Sequence, residues 1–192
     1  MSSGLQRKPA PQSIDLALRW HSEISQSVMQ HRASALGALQ GVQSTASSAS
    51  LTGLTEPEVE QFFENQQAEV DGMCIVNIMA AAEATIRHDY RQRVHRHQAD
   101  SLSKAYVALK KKQRGRKAHL PDFDEGGILE ALKDSSTVQG HLVTSFRHAL
   151  KIRHWYAHGR HWPLKTNALH DPAAVHLACK ELLDAIPPFP GK

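Results

Sequence analysis

Arg153 and His158, near the end of a long predicted helix, are the residues of this chain best suited to chemistry. Apolar residues recur at helical spacing between Val138 and Ala157, and on a helical wheel Arg153 falls within the apolar stripe. Because a buried arginine needs a partner, Arg153 either pairs with an internal acid such as Glu83 or borders a cleft where an anionic ligand completes it. The donors of a guanidinium match a phosphate best, so phosphate binding is the chemistry that Arg153 predicts.

His158 offers proton transfer, because an imidazole gains or loses a proton near neutral pH. On one straight helix His158 points about 140° away from Arg153, so the two side chains cannot meet at one point. Either the helix loosens before Gly159, or two copies of the helix meet across a symmetric dimer. Similar arginine–histidine spacings occur elsewhere, and Arg147 with His154 on the same helix is the serious competitor.

Thirteen histidines raise the alternative of a metal site. His154 and His158 are four residues apart on one predicted helix, as zinc ligands often are. No glutamate follows His154 as in the helix of a zinc protease, and no cysteine lies near it in the sequence. We therefore predict no metal ligands and no cofactor.

The elements that must position these residues are all predicted to be helices. We expect a disordered N-terminus (1–12), an N-terminal helix (13–39), a flexible linker rich in small residues (40–54), a helical domain (55–186) and a C-terminal tail (187–192). Thr55 and Glu58 predict a capped helix that continues to about His97 and is apolar nearly all round in its middle. The fold class is therefore an all-α bundle around two long antiparallel helices, with an extra N-terminal helix.

Shorter helices are predicted around these two. One begins at Ser101 and ends in a lysine run, and a short one follows a cap at Asp124. The second long helix covers about 137–157, and Asp171-Pro172 begins the last helix.

Positive charge is concentrated between Arg87 and Lys117, where eleven Lys and Arg face two acids, while the rest of the chain is net acidic. This asymmetry favours a polyanionic partner, with nucleic acid first, although a solvated helix face is the alternative. Tyr106 and Trp162 are candidate stacking residues, although ordinary packing is the commoner role of such aromatics. The residues predicted to track an RNA backbone are Lys110, Lys111, Lys112, Arg114, Arg116, Lys117 and Arg160.

Composition also favours a setting inside the cell. No apolar run approaches the length of a membrane span, and the first twelve residues lack the apolar stretch of a secretory signal. Cys74 and Cys179 both lie among apolar residues, as buried free thiols do. We therefore expect a cytoplasmic protein without membrane contact.

The stretch Arg153-His154-Trp155-Tyr156-Ala157-His158 resembles the Arg-x(4–6)-His signature of HEPN domains, a superfamily of helical ribonucleases rich in toxins and antiviral effectors. The segment 76–86, which contains Glu83, is similar to the long partner helix of that family. The resemblance covers roughly residues 56–185. The chain departs from the pattern at His154, where many members have asparagine.

The resemblance implies a homodimer with a composite active site and a metal-independent endoribonuclease that leaves a 2′,3′-cyclic phosphate. His158 would be the acid/base and Arg153 the phosphate stabiliser, with His154 and Tyr156 in support. Glu83 would orient or neutralise Arg153, or pair with Arg87 one turn away. A toxin or phage-defence role with an antitoxin or regulatory partner is implied, and the alternative is a non-catalytic HEPN-like module that binds RNA or a protein.

Overall fold

The computed structural model describes residues 13–41, 51–96, 99–112, 121–159 and 171–188, and within these ranges it contains six helices and no strand. The expected all-helical bundle is confirmed. The predicted N-terminal disorder (1–12), most of the predicted linker and the end of the basic stretch (113–117) lie outside the described residues. No helix in the described ranges is long and apolar enough to cross a membrane. The helices are α1 (Ile14–Leu39), α2 (Glu56–Arg96), α3 (Ser101–Lys112), α4 (Ile128–Asp134), α5 (Gly140–Ala157) and α6 (Pro172–Ala185).

Helix α2 is the central element, with 41 residues and a length of about 60 Å. Its start is fixed as a capping box, because the backbone N–H of Thr55 donates to the Glu58 carboxylate at 2.7 Å. The helix continues without a break through Asp71 and Gly72. Five of its apolar side chains lie at the centre of the core: Ile75, Ile78, Met79, Ala82 and Ile86.

One face of α2 departs from the expectation of a helix buried on every side. Met73 is 61% exposed, and Ala80 and Ala84 are also exposed. The other helices of the bundle cover the remaining sides, since α1, α3, α5 and α6 all pack against α2. A single copy of the chain therefore leaves an apolar strip of its central helix in contact with solvent.

Helices α2 and α5 run antiparallel, as the sequence predicts for the two long helices. At one end the Tyr156 ring lies against Gly72, where an added Cβ would be only 2.4 Å from the ring. At the other end the Arg87 guanidinium lies 4.9 Å from the centroid of Phe123, whose ring is 6.0 Å from that of Phe146. The glycine in the middle of a helix is thus explained by close packing, which needs the space that a side chain would fill.

Helix α1 lies along α2. Ser13 caps it by accepting from Leu16 N–H at 3.0 Å. The His21 ring contacts the Asp71 carboxylate at 2.7 Å, which ties the first half of α1 to α2. The linker expected at 40–54 is packed at its end, because Leu51 is buried in a second apolar cluster with Val59 and Phe63.

Several polar residues near the other end of α2 serve the fold. Arg93 is almost fully buried and donates to Asp89 at 2.8 Å, to Asp100 at 3.1 Å and to the carbonyl of Pro187 at 2.5 Å. Asp100 also caps α3, in place of the expected Ser101, by accepting from the Ser103 N–H at 2.9 Å. Arg93 belongs to the basic stretch, but it forms internal ion pairs and is not exposed to contact RNA.

Tyr106, a predicted candidate for stacking, is fully buried in the main core. Its ring packs edge-on against Tyr90 at 5.1 Å. A base cannot reach it, so the stacking role is wrong for Tyr106, while Trp162 lies outside the described residues.

Candidate active site

The last two turns of α5 carry the side chains that could do chemistry. The N–H of His158 still donates to the carbonyl of His154 at 3.0 Å, so the helical hydrogen bonds continue to the end of α5. Gly159 follows with a φ of 76°, the left-handed conformation that ends many helices and favours glycine. The stop at Gly159 is as predicted. Loosening before it, one of the two arrangements that the sequence left open, is confined to His158, the C-cap residue, with φ −102° and ψ 20°.

Arg153 is partly buried, and its Nε is buried without a hydrogen-bond partner among the described residues. Most buried N–H groups in proteins have a partner, so an orphaned guanidinium donor requires an explanation. The positive charge of the guanidinium also helps to lower the pKa of the neighbouring His154 ring. Among the described residues, the Nε of Arg153 is thus a buried donor that an anionic ligand could satisfy.

Glu83, the expected partner of Arg153, binds another arginine. Its carboxylate accepts from the Nε of Arg87 at 2.8 Å, and the two residues are four apart on α2. This spacing places side chains one above the other on a helix, whereas Arg153 lies on a different element. Of the two partners that the sequence left open for Glu83, the structure shows Arg87.

Arg147, the arginine of the competing pair, is held by two carboxylates. Its Nε donates to Asp124 at 2.6 Å, and its Nη2 donates to Glu130 at 2.5 Å. The hydrogen bond from Arg147 is the main cause of the lowered pKa of Glu130. Asp124, which the sequence predicted as a helix cap, is used in this contact instead, and α4 begins after Gly127. Arg147 therefore fastens α5 to α4, and its charge is already balanced.

His154 and His158 form a parallel pair on one side of α5. Their ring centroids are 6.0 Å apart and the ring planes differ by 10°. Partial burial lowers the pKa of His154, and the positive charges of Arg153 and His158 lower it further, while Glu83 and Asp124 act in the opposite direction. The structure thus stacks His154, a residue in which the chain departs from the HEPN pattern, directly beside His158.

Tyr156 lines a groove of about 430 Å³ between α1, α2 and the end of α5. Its ring also meets the Trp155 ring edge-on at 5.0 Å. No pattern in the sequence predicts that α1 reaches this region, although Asn77 stands out as one of few polar residues in the middle of α2. The other residues that line the groove are Trp20, Glu69, Gly72, Met73, Val76 and Asn77.

The residues predicted to track RNA are only partly described. Lys110, Lys111 and Lys112 are exposed in the last turn of α3. Arg114, Arg116, Lys117 and Arg160 lie outside the described residues. The lysine run therefore presents three neighbouring positive charges to solvent.

Within the described ranges, no group of three or more His, Cys, Asp and Glu side chains is placed to hold a metal ion. No family model, no curated protein and no solved structure matches this chain. The side chains around Arg153 and the resemblance of its motif are the basis for assigning a function.

Proposed function

We propose that this protein is a metal-independent endoribonuclease of the HEPN type. The observation that carries the proposal is the state of Arg153, whose buried Nε has no partner among the described residues and which adjoins a pair of stacked histidines. A partly buried cation is stabilised by an anion, and the fork of a guanidinium fits a phosphodiester. An arginine and two histidines near the end of one helix supply both the charge and the proton transfer that RNA cleavage needs.

The reaction uses the nucleophile that RNA carries itself. A base removes the proton of a ribose 2′-hydroxyl, the 2′-oxygen bonds to the adjacent phosphorus, and the bond from phosphorus to the 5′-oxygen breaks. The leaving oxygen takes up a proton, so the products are a 2′,3′-cyclic phosphate and a 5′-hydroxyl. His158 acts as the acid/base, and Arg153 stabilises the charge that develops on the phosphorus oxygens. Loss of one such donor typically slows an enzyme by about 10²–10³-fold.

The proposal includes a homodimer with a composite site. Helix α5 is regular to its end, so Arg153 and His158 of one copy point about 140° apart. A second copy can bring its His158 to the Arg153 of the first, and symmetry then completes two equivalent sites. The exposed part of the apolar strip of α2 at Ala80 and Ala84, one to two turns beyond the groove that Met73 lines, gives the second copy a surface to cover.

The cellular role follows from the resemblance. We place the enzyme in the cytoplasm as a toxin or phage-defence effector, restrained by an antitoxin or another regulatory protein. The lysines at the end of α3 would hold the RNA backbone through its phosphates. The alternative is a non-catalytic HEPN-like module that binds RNA or a protein, and His154 at the place of the usual asparagine is the residue that favours it.

The chemistry of the product ends tests the proposed reaction. Purified protein is incubated in EDTA with an RNA oligonucleotide and with the same oligonucleotide carrying one 2′-deoxy residue at the mapped cleavage position. We expect cleavage of the all-ribose strand with 2′,3′-cyclic phosphate ends, and no cleavage at the deoxy position. Cleavage at the deoxy position, or 3′-hydroxyl products, would exclude attack by the 2′-hydroxyl. Binding of both strands without cleavage of either would favour the non-catalytic module.

A further inference from the structure

The groove beside Tyr156 has no role in the reaction described above. It lies where α1, α2 and the last turn of α5 meet, and its volume of about 430 Å³ suits a group of the size of a nucleoside. Four kinds of side chain surround it: two aromatic rings, two apolar side chains, the carboxamide of Asn77 and the carboxylate of Glu69. Such a mixture, mostly apolar with few polar groups, is typical of a site for a small planar ligand.

The aromatic walls come from two separate helices. Trp20 reaches the groove from α1, and Tyr156 reaches it from α5. Gly72 allows the Tyr156 ring to lie directly against the backbone of α2, which fixes the position of that ring. Aromatic side chains held in this way are the surfaces on which unpaired bases of single-stranded RNA stack.

Asn77 supplies the carboxamide of the groove, whose other polar side chain is that of Glu69. Asn77 is partly exposed, and it makes no hydrogen bond to any residue of the described ranges. A carboxamide offers two donor hydrogens and an acceptor oxygen, and it can therefore pair with the edge of a base in two places at once. Met73 and Val76 complete an apolar wall next to it.

The groove also lies next to the proposed reaction centre. Arg153 precedes Tyr156 by three residues on α5, a spacing that puts their Cβ atoms about 5–6 Å apart on one face. Because α2 and α5 run antiparallel and Gly72 meets Tyr156, Asn77 lies on the Arg153 side of that contact. A nucleotide whose phosphate binds Arg153 would have its base within reach of the groove.

We propose that this groove is a specificity pocket, in which Trp20 and Tyr156 stack one base of the RNA next to the cleaved bond and Asn77 reads the edge of that base. This inference rests on the proposed ribonuclease function. It gives α1 a part in substrate recognition.

Binding of single nucleotides tests the pocket without any cleavage. The four nucleoside 3′-monophosphates are titrated into ¹⁵N-labelled protein, and the indole signal of Trp20 and the side-chain amide signals of Asn77 are followed by NMR. We expect one nucleotide to bind about tenfold more tightly than the weakest and to shift both signals. Asn77→Ala should reduce this discrimination to about twofold, and Trp20→Ala should weaken all four by about tenfold. Trp20→Phe should retain most of the binding, and Leu16→Ala, an exposed apolar residue on the same helix, is the matched control.

The outcomes distinguish a failure of the proposed specificity pocket from a failure of the proposed ribonuclease function. Base-selective binding that depends on Trp20 and Asn77 supports the pocket even in a protein that cleaves nothing. RNA cleavage whose base preference is the same in wild type, Asn77→Ala and Trp20→Ala would overturn the pocket and leave the ribonuclease intact. If nucleotides do not shift the Trp20 signal, and Trp20→Ala instead converts dimers into monomers, the groove is filled by a second copy and the proposal is wrong.

Discussion

At the scale of single residues, what distinguishes Arg153 is that its Nε is buried while no carboxylate of the described residues pairs with it. Arg87, Arg93 and Arg147 each bind one or two carboxylates within 3.1 Å. The Nε of Arg153 is buried without a partner among the described residues, and its positive charge helps to lower the pKa of His154. An arginine whose charge is neutralised by a carboxylate of the protein links parts of the fold. An arginine without such a carboxylate can bind the anionic group of a substrate.

The pKa of His154 gives a prediction at this scale. Partial burial lowers it first and the charge of Arg153 second, because both disfavour the protonated ring. Arg153→Gln removes the nearby charge, and the pKa of His154 should rise. Histidine NMR signals followed against pH measure this rise. Arg19 is an exposed arginine on α1, and the control variant Arg19→Gln should leave the titration of His154 unchanged. If the titration of His154 is also unchanged in Arg153→Gln, Arg153 and His154 do not interact.

At the scale of elements, the position of the candidate site depends on the contact between α2 and α5. The Tyr156 ring occupies the space above Gly72, and this contact fixes how far along α2 the last turn of α5 lies. The ion pairs of Arg147 fix the other half of α5 against α4 and the loop that precedes it. The two anchors together hold the stretch that contains Arg153 and both histidines.

Gly72→Ala tests the first anchor. The added Cβ would lie 2.4 Å from the ring of Tyr156, so the ring must move, and we expect a loss of about 1–3 kcal/mol in the free energy of unfolding. Denaturation with urea measures it. Gly140→Ala is the matched control, because nothing lies within 4 Å of its Cβ, and this change should be neutral or slightly stabilising. Equal stabilities of the two variants would mean that Tyr156 does not pack on α2 as described.

Helix ends were the most predictable part of the fold, since their signals are local. Thr55 with Glu58, Asp171 with Pro172, and Gly159 each mark a helix end where the sequence predicts one. Contacts between distant parts of the chain were not predictable. No sequence signal near Gly72 predicts its contact with Tyr156, and none near Trp20 predicts that this residue lines the groove. Both features depend on how the helices pack. For the same reason, the sequence could not decide whether Glu83 pairs with Arg87 or with Arg153.

At the scale of the whole molecule, positive charge is divided between the interior and the surface. Arg87 and Arg93, which belong to the basic stretch, are taken up by ion pairs within the bundle. Lys110, Lys111 and Lys112 remain exposed at the end of α3. The sequence could predict the excess of charge but not this division, which arises from packing. The exposed strip of α2 likewise appears only when the helices are assembled.

A mixture of two inactive variants tests the composite dimer. Arg153→Ala and His158→Ala are unfolded together and refolded, so that about half of the dimers contain one copy of each. If each site takes Arg153 from one copy and His158 from the other, every mixed dimer has one intact site, and about a quarter of the wild-type activity should return. Each variant refolded alone is the control. No recovery in a mixture shown to contain mixed dimers would place both residues of a site in one copy.

The most direct test of the central claim is the rate of RNA cleavage in EDTA by wild type, Arg153→Ala and His158→Ala purified identically. His148→Ala, an exposed histidine on the same helix, and Arg19→Ala are the matched controls. We predict that the first two variants lose about 10²-fold or more in rate, while both controls cleave like wild type and all five proteins unfold at similar urea concentrations. Equal cleavage by all five proteins would contradict the account, because the activity would then come from another site or from a contaminant.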